Sequence, residues 1–148
     1  MDAQMPDKFV IDAYLIGDSL YFVANSAVAD GSVVFELPSE RCELSAPDEE
    51  LGSAILRTAA RCREGVSLQG AGSDDVAKAL GFKSNADIRK KLVPFVISRS
   101  GSGEKLAIYL MRRQKSQVVF TGEELLANID DKRQIGQLAR AAAKTSTQ

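Results

Sequence analysis

From residue 9 to residue 37 apolar side chains recur at every second position in three short stretches, parted by Gly17-Asp18 and Asp30-Gly31. Alternation of this kind puts every second side chain on one face of an extended strand, and Gly beside Asp is the composition of a tight turn. "KFVIDAYLI" sets Phe9, Ile11, Ala13 and Leu15 on one face, with Asp12 and Tyr14 on the other. "SLYFVA" is a second strand. In "SVVFELP" Val33, Phe35 and Leu37 face inward and Glu36 outward. Two short turns joining three strands predict an antiparallel meander, and its apolar face requires another layer to cover it.

The period then changes. In "SAPDEELGSAILRTAARCREG", Leu51, Ile55, Ala59 and Cys62 fall on one helical stripe. Ser45 is the expected N-cap with Asp48 three residues on, Asp48, Glu49 and Glu50 suit the positive end of the helix dipole, and Gly65 is the expected C-cap. "GVSLQGAGS" reads as a flexible loop. Two short helices follow, 74–80 stopping at Gly81 and 85–92 capped by Ser84 with Asp87 and ended by Pro94. "FVISR", an "SGSG" turn, "KLAIYLMRR" and "QVVFTG" predict three more strands. Thr121 with Glu124 predicts a capping box for a helix in "GEELLANI", and "DDKRQIGQLARAAAK" a final helix. The class is α+β: one antiparallel sheet of about six strands, three from each end of the chain, with central helices packed on it and a C-terminal helix. A single domain spans 1–148, with 1–8 and 145–148 expected to fray.

Several function classes are disfavoured by what is absent. The chain has no histidine, which removes the commonest general base, the commonest zinc ligand and every Ser-His or Cys-His nucleophile pair. "GAGSDD" lies between helices rather than after a strand, and no Gly-Lys-Ser/Thr of a phosphate loop occurs. Asp74-Asp75 and Asp130-Asp131 sit at helix starts, where capping and the dipole account for them without a metal. No enzyme activity, cofactor or metal is expected. Six phenylalanines and three tyrosines leave few walls for a pocket, so no small-molecule substrate is expected either. Cys42 and Cys62 lack Cys-x-x-Cys spacing and read as small buried hydrophobes of a reducing compartment. The acidic start has no apolar core of a secretory signal, and "YLIGDSLYFVANSAVA" carries Asp18 and Asn25, which argues against a membrane span.

The net charge of -1 conceals an asymmetry: residues 1–60 hold eleven acids against three bases, and residues 61–148 nine against sixteen. Either the fold has an acidic and a basic face, or it interleaves the halves and the dipole vanishes. The basic half contains "AKALGFKSNADIRKKL", which has the outline of a helix-turn-helix with Asn85 and Arg89 as base readers and the following hairpin as a wing. Against it, the aliphatic residue expected six after Gly81 is Asp87, the second helix has about two turns, and Asp87 repels phosphate.

The whole pattern resembles another family. "IDAYLIGDSLYFV", "ELGSAILRTAARCREG", "ALGFKSNADIRKKLVPFVISR" and "KLAIYLMRRQKSQVVFTGEEL", from about residue 9 to residue 125, look like the CdiI-type immunity proteins of bacterial contact-dependent growth inhibition. The most specific parts are Leu51-Gly52 with Ile55, and the step Gly81-x-Lys83-Ser84. The resemblance implies a cytoplasmic, non-enzymatic protein that binds the C-terminal toxin domain of its cognate CdiA, often a basic nuclease, and occludes its active site. For that role the expected contact residues are Glu40, Glu43, Asp48, Glu49 and Glu50, in the loop and first helical turn. Asp12, Tyr14 and Glu36 on the polar sheet face come second, with Arg41 and Tyr21 as interface anchors. Each carboxylate also has a plain reading, as a dipole partner or a solvated charge. The other open reading is a nucleic-acid-binding regulator using a winged helix-turn-helix-like segment over 74–112.

Overall fold

The structure, a computed structural model, describes residues 8–28, 30–63, 71–91, 95–99, 104–115 and 117–146. Its elements in chain order are β1 (Phe9–Ile16), β2 (Ser19–Ala27), β3 (Val33–Glu43), α1 (Asp48–Ala59), α2 (Ser73–Ala79), α3 (Asn85–Lys91), β4 (Phe95–Arg99), β5 (Lys105–Gln114), β6 (Gln117–Asn128) and α4 (Lys132–Ser146). All six strands form one antiparallel sheet in the order β3-β2-β1-β4-β5-β6. The two predicted meanders are joined through β1, where Ile11 lies between Ala24 of β2 and Ile97 of β4. The expected C-cap Gly65, the "SGSG" turn, Pro94 and most of the frayed ends lie outside the described residues.

One face of the sheet carries the main core. Phe9, Ile11, Leu20, Phe22, Phe95, Ile97, Leu106 and Ile108 pack there against Leu51, Ile55 and Ala59 of α1 and Ile135, Ala139, Ala142 and Ala143 of α4. The two helices run antiparallel and touch backbone to backbone at their crossing. A Cβ placed on Gly52 would come within 2.7 Å of the Lys132 carbonyl carbon, and one on Gly136 within 2.7 Å of that of Asp48. Arg140 of α4 clamps the entry to α1: its guanidinium donates to the carbonyls of Leu44 (2.9 Å) and Ala46 and pairs with the Asp48 carboxylate. Removing Asp48 leaves Arg140 its two carbonyls, whereas removing Arg140 strands both carbonyls and leaves the Asp48 carboxylate only the Gln137 side chain. Arg140→Ala is therefore expected to lower the melting temperature by roughly 5 °C or more, and Asp48→Ala by clearly less. Equal shifts in thermal unfolding would contradict the clamp.

Three expectations are corrected. The strand in "SVVFELP" runs on to Glu43, through a register shift opposite Phe22 and Ala24, so Glu40 and Glu43 lie on a strand and not in a loop. The N-cap of α1 is Pro47 rather than Ser45, because Leu44 N–H donates to Asp18 O and Ala46 N–H to Glu43 O, holding the chain in a turn until residue 47. No helix forms over "GEELLANI". That segment continues β6, with Leu125 opposite Ile108 and Ala127 opposite Leu106. The Thr121 hydroxyl does accept a backbone N–H, from Glu123 at 3.1 Å, but it does so beside Gly122 (φ 91°) where β6 shifts register. Pairing with a long partner strand outweighs a local helix-start signal.

The helices pack on the sheet as expected and divide between its two faces. α1 and α4 share one face, while α2 and α3 cover the other face of β1–β3: Val76, Ala77 and Ile88 are buried against Tyr14 and Val23, with Phe35, Leu37, Leu80 and Phe82 around them. On the β5–β6 half, Phe120 and Leu126 remain 48% and 49% exposed. Among the described residues, no helix is long and apolar enough to cross a membrane.

Candidate functional site

The five first-choice carboxylates come from the end of β3 and the first turn of α1, which lies along that edge strand. Four of them face an arginine. Glu40 lies 3.6 Å from Arg57, Glu43 3.0 Å from Arg41, Glu49 3.6 Å from Arg133, and Asp48 pairs with Arg140. The last two arginines come from the basic half of the sequence, so the fold interleaves part of the charge asymmetry. Glu50 is exposed, with no ion pair among the described residues. The Arg140 hydrogen bond holds the Asp48 carboxyl below its ordinary range.

Glu43 and Arg41 belong to a small surface cluster at the sheet edge. Glu43 accepts from the Ser19 hydroxyl at 3.0 Å, and Arg41 donates to the same hydroxyl at 3.1 Å while lying 5.8 Å above the Tyr21 ring. Cation, aromatic ring and carboxylate thus stand together on one exposed strand pair. Tyr21 and Arg41, separated by twenty residues, are direct cross-strand neighbours.

Glu36 is not the outward solvated charge of the sequence reading. It lies opposite Ala24 and accepts from the Ser26 hydroxyl at 2.7 Å and from Arg63 at 2.7–2.8 Å. Burial opposes its ionisation, but the Ser26 and Arg63 hydrogen bonds outweigh that and lower its pKa. It ties β3 to β2 and to the segment after α1.

Asp12 and Tyr14 do lie on the face opposite Ile11, as the alternation requires, but helices cover that face. Tyr14 is 8% exposed. Asp12, between Val23 and Val96, has its pKa raised by burial, against a weak opposing hydrogen bond from Asn25 Nδ2 at 3.4 Å. Asn25 Oδ1 is buried without a partner among the described residues. An acid whose folded pKa exceeds its unfolded value of 3.8 contributes fully below that value, and the contribution is lost as pH rises through the folded pKa. Asp12→Asn is therefore expected to raise the melting temperature at pH 7 by a few degrees and to flatten the stability profile above pH 3.8. The new amide also offers Asn25 Oδ1 a donor. Lower stability of the variant at pH 7 would contradict this account.

A cleft of about 870 Å³ opens where α1 meets the start of α4, and no sequence motif points to it. Glu49 contributes to it from α1, joined by Glu104, Asp130 and Asp131, with Lys132 and Arg133 as its bases. Asp131 Oδ1 caps α4 by accepting from Gln134 N–H at 3.0 Å. Three separate segments meet here, around residues 49, 104 and 128–133, which is why no local motif announces the cleft. Among the described residues, no group of three or more Cys, Asp and Glu side chains is placed to hold a metal ion.

The segment 74–112 does not form a free-standing reader of nucleic acid. Its strands β4 and β5 are interior to the sheet, bonded to β1 and β6, so they cannot protrude as a wing. α2 and α3 are held together by Asn85 N–H donating to Asp74 Oδ1 at 2.9 Å, and they pack Val76 and Ile88 on the sheet. The side chain of Arg89 lies outside the described residues.

The architecture is an α+β fold with helices on both faces of an open six-stranded antiparallel sheet. No protein-family model matches the sequence, and comparison with curated proteins gives no match. Solved structures do share the fold. A chain of the "CdiA-CT/CdiI toxin and immunity complex from Yersinia pseudotuberculosis" aligns with a TM-score of 0.70 at 13% identity, over 97% of this chain and 99% of that one. A Neisseria meningitidis protein of unknown function aligns with a TM-score of 0.69 at 16% identity, over 98% and 99%.

Proposed function

We propose that this chain is an immunity protein that binds the C-terminal toxin domain of a cognate CdiA and neutralises it by covering its active site. The observation that carries the reading is the near full-length fold likeness to a chain of a CdiA-CT/CdiI complex, which joins the resemblance of the strand and helix motifs. The docking surface is the β3 edge and the first turn of α1, through Glu40, Glu43, Asp48, Glu49 and Glu50, continuing into the acidic cleft with Glu104, Asp130 and Asp131. Exposed ion pairs contribute little to stability, so Glu40, Glu43 and Glu49 can exchange Arg57, Arg41 and Arg133 for cations of a basic nuclease. Carboxylates presented in this way imitate the phosphates of the toxin's substrate and accelerate encounter. Asp12, Tyr14 and Glu36 support the sheet behind this surface. The complex forms in the cytoplasm and requires no cofactor.

The test is calorimetric titration of this protein with the CdiA C-terminal domain encoded immediately upstream of its gene, at low and moderate salt. One-to-one binding with a dissociation constant on the order of nanomolar or tighter is expected, weakening as salt rises. Absence of heat together with absence of co-elution would overturn the proposal.

A further inference from the structure

On the face of the sheet that α1 and α4 do not cover, the register lines up one row of side chains from strand to strand. Val10 of β1 lies opposite Ser98 of β4, Ser98 opposite Ala107 of β5, and Ala107 opposite Leu126 of β6. On the other side of Val10, Ala27 and Val33 are cross-strand partners on β2 and β3. With Val10, Ser98 and Tyr109 they line an apolar cleft of about 500 Å³. Val10 is 41% exposed and Val33 and Leu126 49% each, three of the four large apolar side chains left open among the described residues. The fourth, Phe120, has its ring edge-on to Tyr109 at a centroid distance of 5.4 Å. Neighbouring strands stand about 4.8 Å apart, so the row from Val33 to Leu126 crosses roughly 24 Å of sheet. That is the span of a protein contact rather than of a small ligand.

The charges beside the row indicate what covers it. Lys105 precedes Ala107 by two residues on β5, and Glu124 precedes Leu126 by two on β6. Because the strands are antiparallel, Lys105 and Glu124 share the face of the row but flank it on opposite sides. Both are exposed, and neither has an ion pair among the described residues. An apolar line with a cation on one side and an anion on the other is complementary to itself about a twofold axis running along the line. That axis places Lys105 of each copy over Tyr109 of the other, next to Glu124, which lies opposite Tyr109. The helices leave room for this. α2 and α3 pack farther along the strands, at Tyr14 and Val23, and the axis puts the helices of the two copies on opposite sides of the contact.

We propose that a second copy of this chain packs face to face on this row, with Val10 and Leu126 in the buried centre and reciprocal Lys105–Glu124 pairs at its margin. The contact goes beyond the toxin-binding reading and does not depend on it. α1 lies on the opposite face of the sheet, so each copy keeps the first turn of that helix free.

The experiment is sedimentation equilibrium of the full chain, without toxin, from about 1 to about 300 µM, bracketing an expected dimer dissociation constant on the order of 10 µM. Leu126→Lys is expected to weaken self-association at least about tenfold at unchanged melting temperature, since it buries a like pair of cations in the contact and leaves the monomer's core intact. Lys105→Glu and Glu124→Lys are each expected to weaken it about fivefold or more. An equimolar mixture of these two variants associates as well as the original chain, because each then meets the opposite charge in the other. A monomer at every concentration, dimers indifferent to Leu126→Lys, or a mixture no better than its components would overturn the proposal. So would a monomer whose affinity for the CdiA C-terminal domain falls with Leu126→Lys, which would make the row a toxin contact.

Discussion

Gly136→Ala lowers the melting temperature by about 10 °C, corresponding to about 3 kcal/mol, and Gly52→Ala does the same. At both positions the added methyl meets backbone, the carbonyl of Asp48 or of Lys132, at a separation that real Cβ atoms do not adopt. A side chain could rotate away, but a helix carbonyl cannot without moving the helix. α1 and α4 must then separate, and the layer containing Leu51, Ile55, Ile135 and Ala139 loses its contacts. The double variant costs less than the sum of the singles, because the first substitution already opens the crossing. Gly72→Ala is the control. Its added Cβ meets nothing nearer than Asp75 Oδ2 at 3.9 Å, so it costs no more than about 1 kcal/mol. Thermal unfolding of the four variants checks all of this, and a tolerant Gly136→Ala would mean the helices cross with more space than described.

The second large effect is on partner binding. Glu40→Lys, Glu43→Lys and Glu49→Lys combined lower the affinity for the CdiA C-terminal domain by at least about a hundredfold, mostly through slower association. Each reversal removes a carboxylate from the proposed surface and leaves Arg57, Arg41 or Arg133 facing a like charge. Glu43 and Glu49 are more than half exposed, so the fold tolerates their reversal, and any stability cost falls mainly on Glu40, whose side chain is 27% exposed. Stopped-flow association rates at two salt concentrations measure it. Arg89→Ala leaves this affinity unchanged. The opposite pattern, indifference to the reversals and salt-steep DNA binding lost with Arg89→Ala, would favour a nucleic-acid-binding regulator.

Much of the fold was legible because its signals are local. Alternation marks β1 almost to the residue and the start of β2, which runs three residues beyond "SLYFVA", and the 3.6-residue stripe of Leu51, Ile55 and Ala59 marks α1. The failures share one cause. The segment 121–128 carries a helix-start signal, yet it pairs with β5 because Leu125 and Ala127 find Ile108 and Leu106 there. The sequence likewise shows that Asp12 and Tyr14 share a face, but not whether that face meets water. Only the tertiary packing answers this: α2 and α3 bury Tyr14, and burial raises the pKa of Asp12.

The candidate surface follows the same division. Chain order alone brings Glu40, Glu43 and Asp48 to Glu50 together within eleven residues. Their arginine partners lie up to 92 residues away, and the acidic and the apolar clefts each draw on several separate segments. Periodicity, turn composition and charge order are properties of neighbours along the chain, so the sequence by itself determined most of the elements, the α+β class and the acidic first half. Which face is covered, which charges are neutralised and where clefts open depend on packing between distant elements, and only the tertiary structure decided them.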